Sequence, residues 1–130
     1  MFDKLEILQM AQAMATHAAA RQGAIAENVA NADTPGYRAR DLASFAETYR
    51  AGNGAPMRAT RNGHLDELVE HREPEPLARA RPGSESPNGN TVSLELEMVA
   101  AADVKREHDL ALAIYQTSMG ILRTGLGRRA

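Results

Sequence analysis

Residues 3–32 read DKLEILQMAQAMATHAAARQGAIAENVANA, with no Pro and a single Gly, Gly23. Within this stretch Leu8, Ala11, Ala15, Ala18, Gln22, Ile25, Val29 and Ala32 follow one another at alternating steps of three and four residues. Every member except Gln22 is apolar. That spacing predicts a long helix with a heptad seam along one side. At 1.5 Å per residue such a helix is roughly 45 Å long. Its seam is mostly Ala, which lets another helix approach closely but buries little. A helix so long with so thin a stripe needs a partner.

The partner is found at the other end of the chain. Residues 93–124 contain no Pro, and Gly120 is their only Gly. Leu94, Met98, Ala101, Lys105, His108, Leu112, Tyr115, Met119, Leu122 and Leu126 again alternate in steps of four and three, and eight of these ten are apolar. Ser93 is placed to cap the helix, with Glu95 and Glu97 near the positive end of its dipole. Gly125 and Gly127 mark its end, where Arg123, Arg128 and Arg129 complement the negative end. The expected fold is all-α: two long terminal helices pair as a coiled-coil hairpin, built from residues 1–33 and 91–130.

Residues 34–90 are different in kind. They hold Pro56, Pro74, Pro76, Pro82 and Pro87, together with Gly52, Gly54, Gly63, Gly83 and Gly89. Leu42, Phe45 and Tyr49 are spaced as a short helix, and Met57–Thr60 as a brief extended piece. The remainder, above all Pro74–Asn90, reads as irregular linker.

Composition bears on function. The chain has 130 residues and a formal net charge of −2, with 24 Ala but only 23 Leu, Ile, Val and Phe together, and no Trp. That is too little bulk for a thick globular core. It excludes a β-sandwich and argues against a self-sufficient enzyme core. With no Cys, disulfides, thiol nucleophiles and Cys-based metal sites are excluded. A nucleic-acid footprint would need a basic cluster, and none is present. The apolar runs fall far short of the roughly 18–20 residues that span a bilayer. The stretch Met1–Glu6 lacks a basic region followed by an apolar run, so no cleaved secretory signal is expected.

No residue set recommends catalysis. His17, His64, His71 and His108 do not form a metal-ligand pattern, and a packed structural role suits them better. Asp66, Glu67, Glu70, Glu73 and Glu75 form a solvated acidic stretch rather than a positioned acid/base pair. No phosphate-cradling Gly loop and no Gly-x-Ser-x-Gly are present. The expectation is a protein that is not an enzyme, with no catalytic residues, metal, cofactor, small-molecule substrate or nucleic acid.

One local string stands out where the first helix stops: Glu27-Asn28-Val29-Ala30-Asn31-Ala32-Asp33-Thr34-Pro35-Gly36-Tyr37. Pro35 cannot continue a helix and disfavours helical geometry at Thr34. Pro-Gly at the centre of four residues suits a type II turn. Asn31 and Asp33 can tie free backbone groups, and Tyr37 offers an aromatic anchor beyond the turn. A generic helix stop accounts for Pro-Gly but not for the whole string.

The run Asn-x-Ala-Asn-x-x-Thr-Pro-Gly-Tyr resembles the signature of the flagellar rod, hook and hook-associated family, matched here at Asn28, Ala30, Asn31, Thr34, Pro35, Gly36 and Tyr37. The chain lacks room for the inserted domains of hook and distal-rod members. Thr60-Arg61-Asn62-Gly63-His64-Leu65 is similar to a Thr-x-x-x-His-Leu stretch of proximal-rod members. Gly89-Asn90-Thr91-Val92-Ser93-Leu94-Glu95-Leu96-Glu97-Met98 resembles the run that opens their C-terminal helix, with Asn90, Val92, Leu94, Glu95, Glu97 and Met98 matching. Asp103, Val104 and His108 stand where those members carry an Asn and a Tyr. The paralogous rod protein FlgC carries a Tyr-x-Ala-Asn run that is absent here.

The resemblance implies a structural subunit of the proximal flagellar rod in the periplasm. It implies helical self-assembly, torque transmission and continuation of the export channel. It also implies FlgC, the MS-ring adaptor FliE and the flagellar export gate as partners, and export by the flagellar type III apparatus. On that view the seam residues Leu8, Ala11, Ala15, Ala18, Ile25, Val29, Ala101, Leu112, Tyr115, Met119 and Leu122 pack helices together, and Asn28–Tyr37 sets the helix end and its neighbour contacts. FlgC itself, a soluble hairpin adaptor or chaperone, and a rod-associated peptidoglycan-cutting enzyme are the alternatives.

Overall fold

The computed structural model describes residues 2–52, 77–78 and 85–127, of which 2–5, 52 and 77–78 are described as backbone only. Helix α1 runs Phe2–Ala30 and helix α3 runs Leu94–Gly127, 29 and 34 residues long. They pack side by side over much of their length. A short helix, α2, spans Phe45–Gly52. Strands β1 (Arg40–Asp41) and β2 (Leu77–Ala78) pair antiparallel, with Arg40 opposite Ala78 and Asp41 opposite Leu77. The architecture is a two-helix hairpin with one small two-residue ladder beside it.

Local chemistry explains the boundaries. α1 stops at Ala30, two residues before the heptad pattern does, because Asn31 turns its side chain back to the Glu27 carbonyl at 2.8 Å. α2 starts at a capping box: the Ser44 hydroxyl accepts from the Glu47 N–H, and the Glu47 carboxylate accepts from the Ser44 N–H. At the start of α3 the Ser93 carbonyl accepts the Glu97 N–H at 3.0 Å. The Ser93 hydroxyl turns instead to the Glu95 carboxylate at 3.3 Å. α3 passes through Gly125 and ends at Gly127.

The core is thin, as the Ala-rich composition requires. Ala18 and Ile25 on α1 meet Ala100 and Val104 on α3, with Ala101 at the edge. Ala11 and Ala111 are also buried. A second row on α1, His17, Arg21, Ala24 and Asn28, lies under residues 40–45. His17 Nε2 lies 2.8 Å from the Ala43 carbonyl, Arg21 holds Asp41, and Asn28 holds the Arg40 main chain. Phe45 contacts the His17 ring edge-on and leans against Tyr49.

One expectation is corrected. On α3 the row facing α1 is Glu97, Ala100, Val104 and Ala111, about a quarter-turn from the anticipated stripe. Leu94, Met98, Leu112, Tyr115, Met119 and Leu126 are exposed, as are Lys105 on α3 and Val29 and Gln22 on α1. Leu8, Ala15, Ala101, His108 and Leu122 are half-buried, whereas Ala11, Ala18 and Ile25 lie inside. The reason is physical. The inner arcs contain His17, Arg21, Asn28 and Glu97, polar side chains each held by at least one hydrogen bond, and a count of apolar residues passes over them. Extended backbone pairing occurs at 40–41 with 77–78. The extended piece anticipated at Met57–Thr60 lies outside the described residues, as do Thr60–Leu65, His64, His71 and the acidic stretch 66–75.

Candidate functional site

The densest polar network sits where α1 ends and α3 begins. Asn28 is fully buried. Its Oδ1 accepts the Arg40 N–H at 2.8 Å and the Tyr37 hydroxyl at 3.3 Å. Its Nδ2 donates to the Arg40 carbonyl at 2.7 Å and to Glu97 Oε2 at 3.1 Å. A primary amide has two donors and two acceptor positions, so Asn28 has all four in use. No other side chain offers that pattern at that length. The Arg40 main chain pairs with this amide much as it would with a neighbouring strand.

Asn90, also buried, does the reciprocal work from the α3 side. Its Nδ2 lies within 2.9 Å of three carbonyls, those of Asn31, Ala32 and Thr34. These are helix-end and turn carbonyls, and those of Asn31 and Thr34 also accept the N–H of Thr34 and Tyr37. Its Oδ1 accepts the Val92 N–H at 2.8 Å. Thr91 adds two further ties: its N–H donates to the Tyr37 carbonyl, and its hydroxyl accepts the Ala39 N–H at 2.7 Å. An α1 terminus is therefore capped by residues about sixty positions away in sequence.

Two tight turns bring these parts together. In Thr34–Tyr37 the Tyr37 N–H reaches the Thr34 carbonyl at 3.3 Å, and Gly36 has φ of 74°. A positive φ at the third residue, after Pro, is the type II arrangement. The second turn is a three-residue loop, Pro87-Asn88-Gly89, closed by Ser86 N–H to the Asn90 carbonyl and Gly89 N–H to Ser86. Gly89 has φ of 81°. The turns touch: the Gly36 N–H donates to the Asn88 carbonyl at 3.0 Å, and a Cβ on Gly89 would stand 3.5 Å from the Gly36 Cα.

The remaining motif positions are more peripheral. Asn31 accepts from the Thr34 hydroxyl at 3.2 Å. Ala30, Thr34 and Pro35 are exposed and Val92 is half-buried. Leu94 and Met98 point outward. The structure thus gathers Asn28, Tyr37, Asn90 and Glu97 into one network and leaves Leu94, Glu95 and Met98 on the outside of α3.

Arg21 was not singled out from sequence. Its guanidinium forks onto both Asp41 oxygens at 3.0 and 3.4 Å and reaches Glu107 at 3.6 Å, so one side chain ties α1 to β1 and α3. Burial works against its charge, but the hydrogen bond and attraction from Asp41, then Glu107 and Asp103, outweigh it and raise its pKa. A long cation on a small-residue helix was its only sequence signal, and its partners lie 20 and 86 positions away.

Chemically this site joins segments far apart in the chain. Asn28, Asn90 and Thr91 are engaged with main chain, and Asn28 also with Tyr37 and Glu97. Among the described residues no group of three or more His, Asp or Glu is placed to hold a metal ion, and no helix is long and apolar enough to cross a membrane.

Comparison with known proteins places the same stretch in context. Residues 8–38, most of α1 and the turn after it, match the family described as flagella basal body rod protein. The flagellar basal body rod protein FlgB of Salmonella typhimurium is 30% identical over 127 aligned positions, covering 92% of this chain and 92% of that protein. FlgB of Cereibacter sphaeroides is 32% identical over 106 positions, 82% of each chain. FlgB of Escherichia coli is 29% identical over 137 positions, covering 96% of this chain and 99% of that protein.

Proposed function

The chain belongs to the family of flagellar basal body rod proteins FlgB, and on that premise we propose that it is a proximal-rod subunit which assembles helically, transmits torque and continues the export channel. The reading is structural rather than enzymatic. One observation carries it. The junction of the two helices is densely hydrogen-bonded, while large apolar residues along α3, among them Leu112, Tyr115, Met119 and Ile121, stay exposed in the single chain. Exposed apolar area on this scale marks a surface that meets protein. A subunit whose ends are fixed and whose flanks are open is suited to having its core completed by neighbours.

On the same reading the motif Asn28–Tyr37 with Asn90–Glu97 presents the helices at a set angle, and the open stripe Leu94, Met98, Leu112, Tyr115, Met119 and Leu122 packs against adjoining rod subunits. FlgC, the adaptor FliE and the export gate are the proposed neighbours. The place of action is the basal body, with the rod lying in the periplasm and the chain exported by the flagellar type III apparatus.

A strain lacking this gene, complemented by the wild-type chain, tests the proposal. Motility should depend on the chain, and isolated basal bodies should contain it. In solution the lone chain should be only marginally stable and gain helicity on mixing with FlgC or FliE. A stable monomer indifferent to both, absent from basal bodies of swimming cells, would favour the adaptor reading instead.

A further inference from the structure

Asparagine is a chemically labile residue, and most so before glycine. There the glycine nitrogen can attack the asparagine Cγ, and no Cβ on the second residue crowds the approach. Among the described residues Asn88 is the one Asn that precedes a glycine, Gly89. Asn28, Asn31 and Asn90 are followed by Val29, Ala32 and Thr91, each with a Cβ. Asn28 and Asn90 are buried besides, whereas Asn88 is exposed to water.

The fold holds this pair away from reaction. Attack needs the Gly89 nitrogen to give up its proton and to stand over Cγ in near-attack geometry. That N–H donates to the Ser86 carbonyl at 2.8 Å. The Asn88 carbonyl accepts the Gly36 N–H at 3.0 Å, and Asn88 Oδ1 accepts the Asn90 N–H at 3.1 Å. The peptide unit between Asn88 and Gly89 is thus tied at both its N–H and its C=O, and the amide side chain is tied as well. Gly89, at φ of 81°, is seated against Gly36. Turning its nitrogen onto Cγ breaks these ties, and the same loop carries Asn90 to the carbonyls at the α1 end. Opening the junction is the event that frees the pair.

We propose that Asn88-Gly89 is a self-modification site gated by the junction of α1 and α3, protected while the junction is closed and converted while it is open. The Gly89 nitrogen bonds to Asn88 Cγ as the bond from Cγ to Nδ2 breaks. The Gly89 proton passes through solvent to the departing nitrogen, which leaves as ammonia. Water then opens the cyclic imide. Addition at Cγ gives aspartate with the main chain restored. Addition at the main-chain carbonyl carbon gives isoaspartate, whose main chain runs through Cβ and Cγ and is longer by one methylene. In that product the acceptor of the Gly36 N–H has become a branch carboxylate, and Gly89 and Asn90 are displaced along the chain. Asn90 no longer meets the carbonyls of Asn31, Ala32 and Thr34, so a converted chain does not close. The pair records time spent open. This chemistry is independent of what the chain assembles with, and its failure would leave the rod-subunit reading untouched.

Asn53→Gln and Asn62→Gln together leave Asn88-Gly89 as the one Asn-Gly pair in the whole chain. That chain is incubated in mildly alkaline buffer with sucrose, which favours the folded state, and separately in urea. A synthetic peptide of residues 85–92 is the reference in each solvent. Mass spectrometry of the fragment containing Asn88 reads conversion, and electron-transfer fragmentation tells isoaspartate from aspartate. In urea the chain should keep pace with the peptide. In sucrose it should convert more slowly than the peptide by about ten-fold or more. Returned from urea, isoaspartyl chains separated by ion exchange should lack the helical circular dichroism that unconverted chains regain. Asn88→Asp, which adds the charge without the methylene, should regain it. Equal rates for chain and peptide in sucrose overturn the gate, and no conversion in urea overturns the site. Isoaspartyl chains that refold with the urea midpoint of unconverted ones overturn the consequence.

Discussion

At the junction of α1 and α3, Asn28, Asn90, Thr91 and Glu97 are buried and bonded in fixed directions, several of them to main chain. Along the open flank the contacts available are mostly Ala, Leu, Met and Tyr, with Gln22, Lys105 and His108 among them, and much of that surface is exposed among the described residues. A buried amide with four specified partners accepts one pairing and penalises others, because each unmet group carries a desolvation cost. An apolar groove accepts whatever shape fills it. One region therefore fixes how the two helices of a chain meet, and the other is free to be completed from outside.

The largest expected effect tests the first half of that contrast. Asn28→Ala leaves the Arg40 N–H and carbonyl, the Tyr37 hydroxyl and the Glu97 carboxylate each short of a partner. A loss of about 3 kcal/mol is expected, enough to remove most of the helical circular dichroism of an isolated chain. A urea midpoint within error of wild type would show that the network is ornamental.

Gly36→Val comes next. A β-branched residue at φ of 74° is strained by about 1–3 kcal/mol, and the turn that meets Asn88 is distorted. Rod assembly should fail more completely than expression, read as swimming in soft agar against an immunoblot. Wild-type swimming would detach this turn from assembly. Arg21→Met should then cost about 1–2 kcal/mol in urea unfolding, since it breaks a half-buried fork onto Asp41 but keeps the stem.

Ala15→Arg separates the two regions. Ala15 sits at the edge of the open flank, so unfolding should shift by no more than about 0.5 kcal/mol, while incorporation into basal bodies should be lost. Normal incorporation would mean that this flank is not a contact.

The smallest effect concerns the exposed Lys105–Asp109 pair. A hydrogen bond and then attraction from Lys105 hold Asp109 below the usual carboxylate range, and the same Asp109 contacts raise Lys105. What stability this gives through Asp109 is present above the ordinary carboxylate pKa and lost as pH falls through the lowered one. Through Lys105 it is present below the ordinary lysine pKa and lost as pH rises through the raised one. Both groups are fully in solvent, so Lys105→Gln should leave the acid unfolding curve unchanged.

Much of this was legible in the sequence. Two long Pro-free segments with three–four spacing announced the helices, and Thr34-Pro35-Gly36-Tyr37 announced a type II turn with positive φ at Gly36. The Ser44-x-x-Glu47 capping box was also there to be read, although Leu42, Phe45 and Tyr49 alone suggested α2. The motif residues Asn28, Tyr37, Asn90 and Glu97 were identifiable by type and position, but not their joining. Asn28 meets Glu97 across 69 positions, and local spacing does not encode such pairings.

The sequence by itself determined where helices form, where they stop and that their core would be thin, because propensity, Pro-Gly turn chemistry and the shortage of Leu, Ile, Val and Phe are local or compositional facts. Only the tertiary structure decided which arc of each helix faces the other. Buried polar groups turn inward when distant partners satisfy them, so the arc holding His17, Arg21, Asn28 and Glu97 went inside. Of the apolar stripe that the periodicity had singled out, Leu94, Met98, Leu112, Tyr115 and Met119 on α3 were left exposed, while Ala11, Ala18 and Ile25 on α1 stayed inside.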